Sequence, residues 1–474
     1  MSNLILNTDS YKCSQFNQYP PNTDYVYSYI ESRGGEWDAT LFYGLQIFLK
    51  DILSKPITQE DIDEAEYVLG IHGEPFNKEG WQYILENHNG YIPVSICAVP
   101  EGTIVPTKNV LVTVINTDPR CAWITSYIET ALLRAVWYPT TVATNSLESK
   151  KIILRYLERN GDPSLIDFKL HDFGARGVSS FESAGIAGSA HLVNFRGTDT
   201  ITGILYANKF YKAGVAGFSI PAMEHSTVTS WGRENEVESY RNMLKVNGKA
   251  GVPIAFVSDS YDIYNACRMW GTDLKQEVID SGAIVVIRPD SGEPATVVKN
   301  CLLILDKYYG STTNSKGYKV LNNVRVIQGD GIDQASIRRI LALAEMEGFS
   351  ADNIAFGQGG ALLQQVNRDT MKFAMKCSAV GIRVSTGNRE DGMLGKLELR
   401  DVYKDPATDP GKASKRGMVT LYTNGTEFVS GVIGEQPKPW TDKKWEVALQ
   451  QVYRNGQILK TYTFDEVRAN ARIN

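Results

Sequence analysis

The chain has 474 residues, 43% of them hydrophobic and 22% charged, the balance of an ordinary globular protein. A net charge of −5 leaves no overall basic field to hold nucleic acid or an anionic membrane, so any phosphate must be held by local Arg, Lys and backbone N–H groups. The N-terminal MSNLILNTDSYK lacks the pattern of a signal peptide, and no apolar run approaches the roughly 20 residues of a membrane helix.

The predicted elements run as follows. DYVYSYIESR (24–33) alternates at a period of two and predicts a strand. Residues 41–55, 60–70 and 79–88 have helical apolar spacing. Residues 92–116 read as two strands around the Pro100-Glu101-Gly102 turn. CAWITSYIETALLRAV (121–136) and SLESKKIILRYLERNG (146–161) read as two helices, the second stopping at Gly161.

From 168 to 378 comes a series of short β-branched and aromatic runs: FKLHDFGARG, LVNFRGTD, GFSIPAMEHS, VPIAFVSDSYD, AIVVIRPDSG, VRVIQGDGID, IAFGQGG and FAMKCS. Several are separated by helical stretches, and each ends in polar or Gly-rich residues. That pattern predicts an α/β barrel with its chemistry at the strand ends. Asn424-Gly425 and Asn455-Gly456 then mark two hairpins, and Thr463 with Glu466 caps a last helix. STGNREDGMLGK (385–396) reads as a polar flap. The expected fold is an irregular (β/α) barrel over 165–385, beside a β-rich α+β domain built from 1–164 and 386–474. The six cysteines are scattered without a CxxC pair, which implies reduced thiols in a cytoplasmic protein and gives no support to a zinc site.

Chemistry concentrates at the strand ends. A lone His225 would ordinarily be structural, but Asp259 and Asp262 follow the next strand run, and a carboxylate-oriented imidazole serves as base or nucleophile. Arg288 offers a planar fork for phosphate or carbonyl, and Asp290 a carboxylate for a cationic centre, with a mutual ion pair as the equal alternative. QGDG and FGQGG are Gly-rich turns suited to phosphate, without a Walker loop, and Arg368 and Lys376 follow them. Phe173 could stack on a flat ring, although a core Phe is commoner. Asp199 could accept an amide N–H or simply cap a helix. Together these residues suit transfer of a phosphorylated sugar to a flat heterocycle.

NLILNTDSYK, YPPNT, VATNS, HDFGARGVSS, SAHLVNFRGTDT, PAMEHST, SDSYDIYNAC, IRPDSG, VIQGDG, IAFGQGG, KDPATDP and YTFDEVRANA, in that order, give the chain a resemblance to the nicotinamide phosphoribosyltransferases of the type II phosphoribosyltransferase family, nearly end to end. The resemblance implies a homodimer with shared active sites. It also implies transfer from 5-phosphoribosyl 1-pyrophosphate to nicotinamide, a magnesium requirement, and ATP as phosphoryl donor to His225. Asp262 would orient that histidine. Phe173, with Tyr11 of the partner subunit, would sandwich the ring. Asp199 would select the amide, and Arg176 and Arg288 would contact the amide oxygen or phosphates. The same motifs carry over Ser258 and Pro289 as substrate contacts, Asp290 beside the ribose, and Gly329 with Asp330 at its hydroxyls. Gly359, Gly360 and Arg368 would take the 5′-phosphate, with Lys376, Lys404 and Lys412 as further phosphate contacts. Two departures stand out. The stretch between Lys376 and Lys404 is longer than the family pattern, and Met223 and Gln358 are bulkier and would narrow a ligand tunnel. The alternatives are a nicotinate phosphoribosyltransferase, which Asp199 disfavours, and a non-catalytic nucleotide-binding dimer.

Overall fold

The computed structural model describes residues 3–384, 395–408, 413–435 and 444–473, so the flap at 385–394 lies outside the described residues. The chain divides into two compact units, 1–144 with 367–474, and 145–366. Both divisions fall earlier in the sequence than the expected boundaries after 164 and 385. The two helices expected on either side of Pro139 form one 32-residue helix, Glu129–Asn160, with Pro139 inside it. Proline costs a helix one N–H donor. Here the hydroxyls of Thr141 and Thr144 donate to the carbonyls of Trp137 and Thr140 at 2.6 and 2.7 Å, which supports the turn around it.

The first unit is built on a seven-stranded sheet in the order Lys396–Asp401, Phe373–Val384, Thr23–Ser32, Val110–Asn116, Val94–Ala98, Gln450–Arg454, Gln457–Ile458. Its neighbours are all antiparallel. FAMKCS, expected as a barrel strand, belongs here: Phe373 pairs with Ser32 and Ile382 with Thr23. Both Asn-Gly turns are present as hairpins, and at the second both Asn455 and Gly456 take positive φ, as a two-residue turn requires. Thr463 and Glu466 form the reciprocal cap of Phe464–Asn470.

The second unit is a curled parallel sheet in the order Gly197–Thr198, Leu170–Asp172, Ile354–Gln358, Val324–Gln328, Ile284–Arg288, Pro253–Val257. The stretch 218–222 stands between its two ends. Phe218 bridges Gly197, and Ala222 bridges Ala255. The N–H of Thr198 donates to Phe218 O, and that of Ala255 to Pro221 O, both at 2.9 Å. This closes the ring irregularly.

Strand alternation then sorts the side chains. Ile254, Phe256, Val285, Ile287, Val324, Val326, Ile354 and Phe356 pack into the larger core with the helices. Ala255, Val286 and Ile327, with Ile220, Ala355 and Phe173, form a small cluster of their own on the other face, inside the ring. The crossover helices start where the sequence signals them. Asp262 caps Ile263–Gly271, Glu293 caps Pro294–Tyr309, and Asp333 caps Gln334–Met346. No helix among the described residues is long and apolar enough to cross a membrane.

At the end of the strand Leu170–Asp172, the Asp172 side chain is fully buried. Its Oδ1 accepts the Gly174 N–H at 2.7 Å, shaping the turn that follows Phe173. Burial pushes this carboxyl up to about 6, against the pull of that N–H. The folded value exceeds the unfolded one, so folding favours the protonated form and stability is lost as pH rises from about 4 to above 6. Thermal unfolding of the parent and of Asp172→Asn should therefore diverge across that window, the variant gaining relative stability with pH, and level off above it. In the outer core, Phe256 lies edge-on to Trp270 with ring centroids 4.5 Å apart, and both are fully buried. Phe256→Ala should cost about 3–5 kcal/mol in denaturant unfolding.

Candidate active site

Alternation along the strands delivers the site. Two residues beyond the inward-facing Val286 comes Arg288, beyond Ile327 comes Gly329, and beyond Ala355 comes Gly357. The Phe173 ring fills the space beside Gly357, where a Cβ would lie 2.0 Å from Phe173 Cε2. Gly357 is thus required by the close approach of an aromatic ring, a role that FGQGG does not reveal when read as a phosphate turn. A cavity of about 440 Å³ opens above this floor. Phe173, Arg176, Asp199, His225, Arg288, Asp290 and Gly329, all singled out from the sequence, line it together. Glu224 and Ser226, which the sequence reading missed, complete the wall on either side of His225. Their adjacency to the histidine in AMEHS was the available signal.

His225 is the first residue of the short helix His225–Thr229, directly after the ring-closing stretch. Its Nε2 lies 2.9 Å from Asp259 Oδ1. Asp259 has only 5% of its side chain exposed, and its other oxygen accepts the Ser291 hydroxyl at 2.6 Å. The orienting carboxylate is therefore Asp259 and not Asp262. Asp262 Oδ1 accepts the N–H groups of Tyr264 and Asn265 at 2.9 and 3.0 Å, an N-cap's work. Its place immediately before a helical run was the sequence signal for that role.

Asp199 accepts the Ser219 hydroxyl at 2.5 Å, and its own N–H donates to Asp172 O at 2.9 Å. It is not the helix cap, because Thr200 occupies that position before Ile201–Tyr211. Arg288 Nη2 reaches Asp290 Oδ2 only at 3.4 Å, and the buried Nε has no hydrogen-bond partner within the protein. A guanidinium so held retains donors for an anion in the cavity.

The other predicted site residues do not line this cavity, although some adjoin residues that do. Ser258 is fully buried, its hydroxyl donating to Phe256 O at 3.0 Å and its N–H to Arg288 O at 3.0 Å, and Pro289 is buried beside it. Neither lines the cavity, and the bonds of Ser258 tie two strand ends together. Gly359 and Gly360 adjoin the Phe173–Gly177 turn, and a Cβ on Gly359 would sit 3.6 Å from Phe173 O. Asp330 is exposed, its carbonyl accepting from Gln328 Nε2 at 3.0 Å. Tyr11, Arg368, Lys376 and Lys404 belong to the other unit. There Tyr11 is exposed, Arg368 bonds Asp369 at 3.0 Å, and Lys404 is exposed in a loop. Burial lowers the Lys376 ammonium from its ordinary range, and its Nζ donates to Met375 O at 2.9 Å. Lys412 lies outside the described residues. Met223 packs in the helix-facing core, and Gln358 continues the outward parity of Ile354 and Phe356 at 1% exposure. Neither narrows the cavity.

Elsewhere, His88, Asp118 and Cys121 bring potential metal-ligating atoms within 4.8 Å of one another. Asp118 Oδ2 already accepts from Tyr83 and faces His88 Nε2, Arg120 lies 3.8 Å over the Tyr83 ring, and burial pushes the Cys121 thiol up to about 12. The group is a satisfied hydrogen-bond network beside a cation.

Residues 168–457 match the model of the nicotinate phosphoribosyltransferase (NAPRTase) family, and residues 3–96 match the nicotinamide phosphoribosyltransferase N-terminal domain. The chain is 54% identical to a nicotinamide phosphoribosyltransferase of Xanthomonas campestris pv. campestris, over 99% of this chain and 98% of that one. Among solved structures it resembles nicotinate-nucleotide pyrophosphorylase from Pyrococcus furiosus, with TM-score 0.62 and 16% identity over 99% and 95% of the two chains. It also resembles human nicotinic acid phosphoribosyltransferase, with TM-score 0.57 and 15% identity over 98% and 92%. Those two likenesses bear on the fold alone. With both family models matched and sequence identity running end to end, the chain belongs to the nicotinate phosphoribosyltransferase family and, within it, to the nicotinamide phosphoribosyltransferases.

Proposed function

We propose that this chain joins nicotinamide to 5-phosphoribosyl 1-pyrophosphate, giving nicotinamide mononucleotide and diphosphate in NAD salvage. The observation that carries this reading is the meeting of Phe173, Asp199 and Arg288 around one cavity of about 440 Å³. A pyridine ring stacks on Phe173. Asp199 accepts the carboxamide N–H, whereas the carboxylate of nicotinate brings no proton and meets like charge. Arg176 and Arg288 supply forked donors for the amide oxygen and the phosphates. As the bond from the anomeric carbon to diphosphate breaks and the pyridine nitrogen bonds to that carbon, Asp290 stabilises the positive charge that develops on the sugar. Gly329 and Asp330 take the ribose hydroxyls, and Gly359 with Gly360 the 5′-phosphate.

Magnesium suits hard oxygen donors and substrate phosphates. Asp290 and Glu224 offer carboxylates at the cavity wall and no thiol lines it, so these residues fit and would hold the ion. When bound, magnesium screens the charge of the departing diphosphate. ATP is the phosphoryl donor to His225. Because Nε2–H is committed to Asp259, Nδ1 carries the free lone pair. That lone pair bonds the γ-phosphorus as the bond to ADP breaks, and Asp259 balances the imidazolium charge. The loaded histidine strengthens the hold on the sugar diphosphate. The active unit is a homodimer. All six cysteines are free thiols, which suits the reducing cytoplasm.

Diphosphate release measured with magnesium and 5-phosphoribosyl 1-pyrophosphate should favour nicotinamide over nicotinate by at least about a hundredfold in kcat/KM. Preference for nicotinate would overturn the substrate assignment, and no release with either would favour a binding protein. His225→Ala and Asp259→Asn should lose the ATP stimulation. Asp262→Ala should keep it and lose only about 1 kcal/mol of stability in denaturant unfolding.

A further inference from the structure

We propose that Ser219 is a positioning residue that sets the preference for amide over acid, by fixing the Asp199 carboxylate and by withholding its own proton from the substrate. The inference rests on the reading that Asp199 accepts the amide N–H.

The backbone places the pair. Ser219 lies in the ring-closing stretch, beside the strand that leads into Asp199. Phe218 N–H donates to Arg196 O at 2.7 Å and Thr198 N–H to Phe218 O at 2.9 Å, which pins the two segments side by side just below both side chains. From there the Ser219 hydroxyl reaches Asp199 Oδ1 at 2.5 Å, while Asp199 lines the cavity. Both residues are exposed, and of the two it is Asp199 that lines the cavity. An exposed carboxylate with no partner rotates and shares its oxygens with water. Here one oxygen is committed to the protein and the other is left for the ligand.

The chemistry of the donor matters as much as its position. A serine hydroxyl has one proton and two lone pairs. With that proton given to Asp199, the two side chains together present acceptors only. Nicotinamide brings an NH₂ with two donors to such a wall. Nicotinate brings acceptors and a negative charge, and finds no donor there. If the serine proton were free, it could turn to a substrate carboxylate and weaken the discrimination.

The test is steady-state kinetics on nicotinamide and nicotinate for Ser219→Ala, Ser219→Thr, Asp199→Ala and the double variant. Ser219→Ala should raise KM for nicotinamide about tenfold, the scale of a hydrogen bond to a charged group, and leave kcat within about twofold. It should also narrow the preference over nicotinate. Ser219→Thr, which keeps the hydroxyl, should restore both. Adding Ser219→Ala to Asp199→Ala should leave KM for nicotinamide where Asp199→Ala put it and should raise KM for nicotinate, which loses the freed hydroxyl. If Asp199→Ala raises KM while Ser219→Ala leaves KM and preference at the parent values, the inference falls and the reading of Asp199 stands. If Asp199→Ala itself leaves KM and preference unchanged, that reading fails and takes the inference with it. Exposure of Ser219 makes its loss tolerable to the fold, which circular dichroism of each variant checks.

Discussion

On the parallel ring, each strand has to show one row of side chains to the helices and the other to a narrow interior, and the site is a product of that division. The interior tolerates little volume. Ala255 and Ala355 are small, Gly357 has no side chain at all, and the space left over is taken by Phe173. An aromatic ring is thereby fixed as the floor of the cavity, with its edge seated against backbone. The same alternation carries Arg288 and Gly329 to the mouth, one step beyond the last packed residues of their strands. Changing the register of any one strand by a single residue would bury its functional group against the helices.

Electrostatics is laid over this frame in two hydrogen-bonded chains. In one, Ser291 donates to Asp259, and Asp259 faces His225. In the other, Ser219 donates to Asp199. Each pairs a carboxylate with a neutral hydroxyl, so the anion is stabilised without losing its charge. The cations are arranged differently. Arg288 makes only a long contact with Asp290, keeping part of its donor set free. The cavity therefore presents Asp199 held in place beside an Arg288 that is not, with the loosely held Asp290 at the arginine's side, an arrangement suited to a substrate with a cationic transition state and an anionic leaving group.

Much of this was legible in the sequence because the signals are local. The crossover helices begin at Asp262, Glu293 and Asp333, and the hairpins turn at Asn-Gly pairs, since caps and tight turns depend on a few neighbouring atoms. Most of the residues lining the cavity were legible because they stand just past apolar runs, although Glu224 and Ser226 were not singled out. What escaped depends on partners far away in the chain. Phe373–Val384 has the composition of a buried strand, but nothing within it says that Thr23–Ser32 is its neighbour. Two aspartates follow the same strand run; the place of Asp262 before a helical run was a local signal for its cap, but which of the two faces the histidine depends on the fold. The two helices expected at 121–136 and 146–161 are joined into one through Pro139, with the hydroxyls of Thr141 and Thr144 bonding carbonyls in the turns around and after it.

The ring is joined at 218–222 by isolated bridges, where its other seams have regular ladders. That one stretch makes backbone hydrogen bonds to both edges of the sheet, with Arg196 and Thr198 on one side and Ala255 on the other. Ser219 sits within it and His225 directly follows it. A shift of this one segment would displace the hydroxyl that holds Asp199 and the imidazole that faces Asp259 in the same movement, so two otherwise separate hydrogen-bonded pairs share one anchor.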